Sequence, residues 1–347
     1  MRAVLRKQFG QAFFAAAFLS LLPSNLHASA EFDLSGKSVT FIVGGGPGGG
    51  VDAFARTIAP YLTKHLPGSP VVKVGNMGAS GGLQGVQYLY NVAAGDGTFV
   101  GTTNAGPVSE PLMGQVRVNY DIAKFKWVGS LTTGDTVCAV WHQSSIKTID
   151  DARKRDVPMA STGATSAPTR ATLMAAYLLG ARFKPIPGYD GGSSLLAIER
   201  QEVDGSCTTL GSLRTTRPDW VANRQLRILV QVSMTKDPEF PDVPRLVDLI
   251  ANEEHKQMLE FMLMPYEFNN PLMLPPGASD EALKVWRAAF SKAVRDPDYL
   301  ADAGKRLQKI TPKSGDEVEA LVNKMLATPP AIIKRVIETT DIKKLRN

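Results

Sequence analysis

From residue 38 onward, short apolar runs alternate with longer stretches whose apolar positions recur at helical spacing. Val39-Thr40-Phe41-Ile42-Val43 is β-branched and aromatic and ends on glycine, which predicts a buried strand. Val51, Ala55, Ile58, Ala59 and Leu62 then share one helix face over 51–63, with Pro60 expected to kink or shorten that helix. Val71–Val74 reads as a second strand and Leu83–Tyr90 as a second helix. Asp96-Gly97 is a turn, after which Phe99-Val100-Gly101 opens a third strand. This alternation predicts an α/β chain with a mostly parallel sheet and helices on both faces. Ligands of such sheets sit at the carboxyl ends of the strands.

The rhythm restarts further on. Strands are predicted at Thr136–Trp141, Val157–Ala160, Phe183–Ile186 and Leu226–Val232. Helices are predicted at Ile149–Arg155, at Arg170–Gly180 and, after the loop that ends at Gly192, running to Gln201. Ser161–Thr169 and Gly188–Gly192 read as loops, and the tail from Asp280 reads as helical with proline punctuation. Two α/β lobes account for this pattern. The first takes residues 31–130 and a returning segment, 233–347; the second takes residues 131–232.

The first thirty residues have a different character. Arg2, Arg6 and Lys7 precede an apolar run from Phe9 to Leu22, too short for a comfortable membrane span, and Ala28-Ser29-Ala30 is an A-x-A cleavage site. Residues 1–30 therefore read as a signal peptide cleaved after Ala30, with no cysteine at the junction to carry a lipid. The expected location is a bacterial periplasm. Loss of three basic residues and no acid lowers the formal charge from +6 to +3. The remaining charges are mixed along the chain, which argues against nucleic acid as a partner. Cys138 and Cys207 are the only cysteines, and in an oxidising compartment they are expected to pair. His65, His142 and His255 have no metal-ligand spacing with them, so no metal site is predicted.

The candidate chemistry centres on Gly44–Gly50, where six glycines flank Pro47 between the first strand and the first helix. Gly44, Gly46 and Gly49 satisfy G-x-G-x-x-G. No acid stands between Asp52 and Asp96 to hold a ribose, and no Gly-Lys-Ser/Thr follows, so neither a dinucleotide nor a nucleoside triphosphate is expected and no cofactor is predicted. Gly78-Ala79-Ser80-Gly81-Gly82 matches G-x-S-x-G, but a nucleophile elbow would follow its strand directly; an exported hydrolase using Ser80 is a minor alternative. A carboxylate fits better, because a glycine-rich helix start offers bare N–H groups and a positive dipole end. Neutral hydroxyls and amides at matching strand ends would complete such a site: Thr102, Thr103 and Asn104 in the first lobe, and Ser161, Thr162, Thr165, Ser166 and Thr169 in the second. Asp52, in the first helical turn, is expected to accept backbone N–H groups and hold the loop in shape.

These motifs resemble those of the Bug-type periplasmic receptors, the substrate-binding components of tripartite tricarboxylate transporters. The resemblance rests on Gly48–Arg56, on Gly78–Gly82 with Asp96-Gly97-Thr98, on Tyr189-Asp190-Gly191-Gly192 with Glu202-Val203-Asp204-Gly205, and on Phe240–Pro244. It spans nearly the whole chain after residue 30. It implies a two-lobed type II periplasmic-binding-protein (Venus flytrap) fold and a binding protein with no catalytic residues. The implied ligand is a small organic acid, a di- or tricarboxylate or an aromatic carboxylate, passed by a monomeric receptor to integral-membrane transporter subunits. A role in feeding a sensor kinase is the alternative. Carried onto this chain, the ligand site comprises Gly46, Pro47, Gly48, Gly49, Gly50, Val51, Asp52, Thr103 and Asn104. Across the cleft it takes Ser161, Thr162, Gly163, Thr165, Ser166, Thr169, Arg170, Tyr189 and Gly191. Gly45, Val51 and the stretch Ser166–Arg170 depart from the family pattern where specificity would be set.

Overall fold

The computed structural model describes residues 32–161, 166–189 and 191–341, with the backbone only of Gly191, Gly192 and Thr215. The signal peptide with its cleavage site, Thr162, Gly163, Thr165 and Asp190 therefore lie outside the described residues. In chain order the first sheet receives β1 (Ser38–Gly44), β2 (Val71–Asn76), β3 (Phe99–Thr103) and β4 (Lys126–Thr132). Between them run α1 (Gly50–His65), α2 (Leu83–Asn91) and α3 (Ala105–Met113). The chain then crosses at residues 133–135 to a second sheet, made of β5 (Thr136–Trp141), β6 (Val157–Ser161), β7 (Phe183–Pro187), β8 (Gly205–Thr209) and β9 (Leu226–Gln231). Its helices are α4 (Ile149–Lys154), α5 (Ala167–Leu179), α6 (Gly191–Glu199), α7 (Leu210–Thr216) and α8 (Pro218–Ala222). The return runs through α9 (Glu253–Leu263) to β10 (Asn269–Leu274) in the first sheet. The chain finishes with α10 (Asp280–Ala293), α11 (Pro297–Lys305), β11 (Lys313–Ser314), α12 (Gly315–Leu326) and α13 (Pro330–Thr339).

The strand orders are β11-β4-β10-β3-β1-β2 and β7-β6-β8-β5-β9. Both sheets are mixed, which corrects the expectation of a mostly parallel sheet. β1 pairs in parallel with β2 and β3, and β6 with β7 and β8, with a helix between each strand and the next in sequence. β10 lies antiparallel to β3 and β4, and β5 antiparallel to β8 and β9. β5 and β10 are the first strands reached after the chain changes sheet, so no helical crossover fixes their direction as it does within a βαβ unit.

Local chemistry explains the helix limits. Pro60 sits on the exposed face of α1, and the helix continues through it to His65, so the expected shortening does not occur. The second-lobe helix starts three residues before the predicted Arg170. Ser166 caps it by accepting the Thr169 N–H, and Pro168 occupies its first turn. Thr169 and Arg170 are thus helical, not loop, residues. The first sheet packs Phe41, Ile58, Leu62, Trp286 and Phe290 on one face, and a larger core runs from the other face of that sheet to the second. α13 packs on α9, α5 and α3, so the C-terminal helix braces both sheets. A disulfide joins Cys138 to Cys207, which lie opposite each other in β5 and β8 with Cα atoms 4.0 Å apart. Among the described residues no helix is long and apolar enough to cross a membrane.

Candidate functional site

A cavity of 660 Å³ opens between the two sheets. Ser80, Gly81, Asn104 and Glu110 face it from the first, and Ser166 and Arg170 from the second. Phe261 and Met262 of α9, Tyr266 just after it, and Val336 of α13 close one side. A second cavity of 270 Å³ adjoins it and is rich in hydroxyls, among them Ser161, Ser206, Thr208 and Ser212. Ala167, Pro168, Thr209 and Tyr266 border both.

Two helices of opposite sheets begin at the larger cavity. Asn104 caps α3, its Oδ1 accepting the Gly106 N–H at 2.9 Å, while its Nδ2 donates to the Gly81 carbonyl at 3.2 Å. Ser166 caps α5 and also hydrogen-bonds the Thr169 hydroxyl at 3.1 Å. First-turn N–H groups have no partner inside a helix, and the dipole adds partial positive charge there. The cavity therefore presents two anion-favouring helix ends.

The glycine loop is built by side chains beneath it. Asp52 is 3% exposed. Its carboxylate accepts the Gly48 N–H at 2.8 Å, Arg56 Nε at 3.0 Å and Asn76 Nδ2 at 2.9 Å. Burial pushes its pKa up, but these donors outweigh burial and hold it below the ordinary carboxylate value. Gly48 has φ +75°, a left-handed turn that lets its N–H point back at Asp52. Asn76 also donates to the Gly45 carbonyl at 3.0 Å.

Arg170 spans the cavity wall. Its Nη2 lies 3.6 Å from Glu110 on α3 and donates to Gln115, and both charged side chains are largely buried, at 13% and 7% exposed. Its Nε has no hydrogen-bond partner among the described residues. At the crossing between the sheets stands a second charged cluster, Arg214 with Asp135, Asp237 and Glu239, and Lys309 with Asp237. Burial raises the Asp135 pKa beyond what the Gly211 N–H and Arg214 can offset. Asp237 is also pushed up by burial, but the Glu239 N–H, Lys309 and Arg214 hold it below its usual value.

Residues 54–337 match the sequence profile described as the tripartite tricarboxylate transporter family receptor. The chain belongs to this family. It is a periplasmic solute-binding receptor and not an enzyme. A TctC solute-binding protein from Polaromonas, solved without ligand, has the same fold, with a TM-score of 0.67 at 18% identity over 87% of the receptor and 98% of its own chain. MatC of Rhodopseudomonas palustris, with bound malate, gives 0.63 at 19% identity over 87% and 98%. Another Rhodopseudomonas palustris protein, with adipate, gives 0.63 at 16% identity over 87% and 97%. No curated protein sequence matches the receptor.

Of the residues read from the sequence, Asn104, Ser166 and Arg170 line the larger cavity and Ser161 the smaller. Gly46, Pro47, Gly48, Gly49 and Gly50 are exposed, and neither they nor half-buried Val51 line either cavity. Thr103 is fully buried under the two glycine loops, its hydroxyl 2.9 Å from where a Cβ on Gly44 would stand. Thr169 is fully buried inside α5. Tyr189 packs on the Trp141–Trp220 cluster and donates its N–H to the Ser161 carbonyl, and the Gly191 backbone starts α6. Ser80 does face the larger cavity, at φ 54°, but His142 is bonded to the Gln225 carbonyl and His255 stacks on Tyr177, and neither lines it. Sequence reasoning missed Glu110, Phe261, Met262 and Tyr266. The returning segment carries the last three, and a lone apolar residue on an amphipathic helix gives no sign of which cavity it will close.

Proposed function

We propose that the receptor captures a small organic acid, in ionised form, between its two lobes and delivers it to the membrane subunits of a tripartite transporter. The observation that carries this reading is the convergence of the α3 and α5 N-termini, from opposite sheets, on one cavity. Malate and adipate in similarly folded proteins support the same ligand class. The lobes are residues 31–130 with 233–347, and residues 131–232. Gly46–Val51 form the first-lobe rim of the cleft and Tyr189 and Gly191 border its second-lobe side, and the lobes close on the ligand by a hinge at the sheet crossings. The receptor is exported by residues 1–30, cleaved after Ala30, and acts as a monomer.

A thermal-shift screen of the mature chain against organic acids tests the function, since a ligand of the folded state raises the melting temperature. The best acid should bind at least about tenfold more tightly than its primary amide, roughly 1.4 kcal/mol. Equal affinity for acid and amide would remove the anion from the reading. Mass spectrometry of the secreted protein should find Glu31 at the N-terminus.

A further inference from the structure

We infer that Arg170 reads the second carboxylate of the ligand, and that Glu110 and Gln115, from across the cavity, position its guanidinium to do so. The inference rests on the organic-acid reading above and adds a specificity-determining residue to it. Among the described residues lining the two cavities, Arg170 carries the only positive charge. A guanidinium offers several N–H donors in a planar fork. Nη2 is committed, donating to Gln115 just after α3. Glu110 Oε2 lies 3.6 Å from the same nitrogen, a contact of charge with charge that is longer than a hydrogen bond. Nε is buried and has no acceptor among the described residues, a state that costs free energy until a ligand oxygen accepts from it.

The neighbours keep this arginine ready. Glu110 is itself largely buried, and its carboxylate also accepts the Val116 N–H. It offsets the cost of holding a cation in the cavity wall, while its distance from Nη2 leaves donors uncommitted. Gln115 is neutral and fixes one arm of the fork. The first carboxylate has donors of its own. α5 begins at Ala167, which borders both cavities, and the Ser161 hydroxyl, 1% exposed and without a partner among the described residues, lines the smaller one. Arg170 lies about one turn further along the same helix, on the larger cavity. Tyr266 borders both cavities, and the Arg170 charge opposes the upward push that burial gives its pKa. A ligand that runs from the α5 start into the larger cavity carries its far end to Arg170. A carboxylate there supplies the missing acceptor, and a neutral end leaves the N–H unpaired.

Calorimetry on the mature receptor with succinate, glutarate and adipate, each beside its monoamide, tests this. The monoamide keeps one carboxylate and the chain length, so the ratio of its dissociation constant to that of the diacid reports the second carboxylate. For the tightest diacid the ratio should be about tenfold or more. The double variant Arg170→Met, Glu110→Gln removes the pair together and strands no charge, and in it the ratio should fall below about threefold. A contact that merely latched the cavity shut would weaken diacid and monoamide alike and leave the ratio where it was. Gln115→Leu keeps both charges and should lower the ratio by at least about threefold through the loosened fork. Should the double variant fail to unfold cooperatively, Arg170→Lys replaces it, and its ammonium, a point charge without the fork, must also lower the ratio by at least about threefold. A wild-type ratio near one with the acids still bound, or an unchanged ratio in the arginine variant, overturns the inference and leaves the organic-acid reading standing. An unchanged ratio in folded Gln115→Leu overturns the positioning role of Gln115. No binding of the three diacids also overturns the inference, and the organic-acid reading falls with it only if the thermal-shift screen finds no acid at all.

Discussion

A Cβ on Gly78 would stand 2.5 Å from the carbonyl carbon of Gly45, so the two glycine loops of the first sheet touch backbone to backbone. The contact continues at Gly82, whose Cβ would lie 2.4 Å from the Gly44 carbonyl oxygen. Gly46, in contrast, has open space around its Cβ position. The bare backbone thus has two separate causes, close packing at one end of the loop and exposure at the other. Gly78→Ala should destabilise the receptor by about 1–3 kcal/mol, because backbone cannot yield as a side chain does. Gly46→Ala should change stability by less than about 0.5 kcal/mol. Urea denaturation midpoints of the two variants check the contrast, and equal midpoints would contradict it.

The disulfide should matter most through the unfolded chain. Cys138 and Cys207 are 69 residues apart in sequence, and closing a loop of that length stabilises by about 4 kcal/mol in the chain-entropy model. Thiol titration of the unfolded, unreduced receptor should find no free thiol. The Cys138→Ser, Cys207→Ser double variant should lose on the order of 8 °C of melting temperature, at roughly 2 °C per kcal/mol, the low end of the range for domains of about 150–250 residues.

Strands with β-branched runs were legible because each is bounded by glycine or a turn: Val39–Val43 and Thr136–Trp141 both fall inside observed strands. β4 and β10 were not. Lys126–Thr132 and Asn269–Leu274 carry a glycine or a proline and neither alternation nor a clean turn, and they are strands because partners on both sides satisfy their backbone. The same limit governed the site. Asn104 and Ser166 were visible as polar residues after strands, since caps must be polar. Glu110 was hidden as one acid inside a helix, and its meaning comes only from Arg170, sixty residues later, reaching it across the cavity. Asp204, read as part of a family motif, is held by Arg155 at 2.8 and 2.9 Å and by Ser144 at 2.7 Å, which gives it a structural task in the second lobe.

Acid sensitivity should be traceable to Asp296. Hydrogen bonds from Lys64 and then His65 hold its pKa at about 2, against 3.8 unperturbed. A carboxylate whose pKa is depressed on folding contributes stability that is present above the unfolded value and fades as pH falls through the folded one. Asp296→Asn should therefore remove part of the stability at neutral pH and flatten the loss between about pH 4 and pH 2. Thermal unfolding followed across that range measures the slope, and an unchanged slope would rule out this ion pair as its source.

Asp237 ties the crossing segment to both sides of the hinge, accepting Lys309 at 3.0 Å and Arg214 at 3.2 Å. Their environments differ, and the difference ranks three substitutions. Lys309 is half exposed, so its exposed pairing is worth about 0–1 kcal/mol and Lys309→Met should be nearly silent. Asp237→Asn leaves Arg214 with Asp135 and Glu239, so the arginine stays compensated, and the loss should be about 1–3 kcal/mol, that of one charged hydrogen bond. Arg214→Met is the severe change. It strands Asp135 and Asp237 next to each other with only Lys309 to answer both, and removing one member of a buried charge set costs about 3–5 kcal/mol. It should also raise the pKa of Asp135 further, because burial already raises it and Arg214 is among the groups opposing that. An acid whose pKa is raised on folding favours the fold below its unfolded value and loses that advantage as pH rises through the folded one. Arg214→Met should thus be closest to wild type in mildly acidic buffer and weakest above neutrality. Denaturation of all three variants at two pH values tests the order, and a larger loss for Lys309→Met than for Arg214→Met would show that the cluster does not hold the hinge as its geometry indicates.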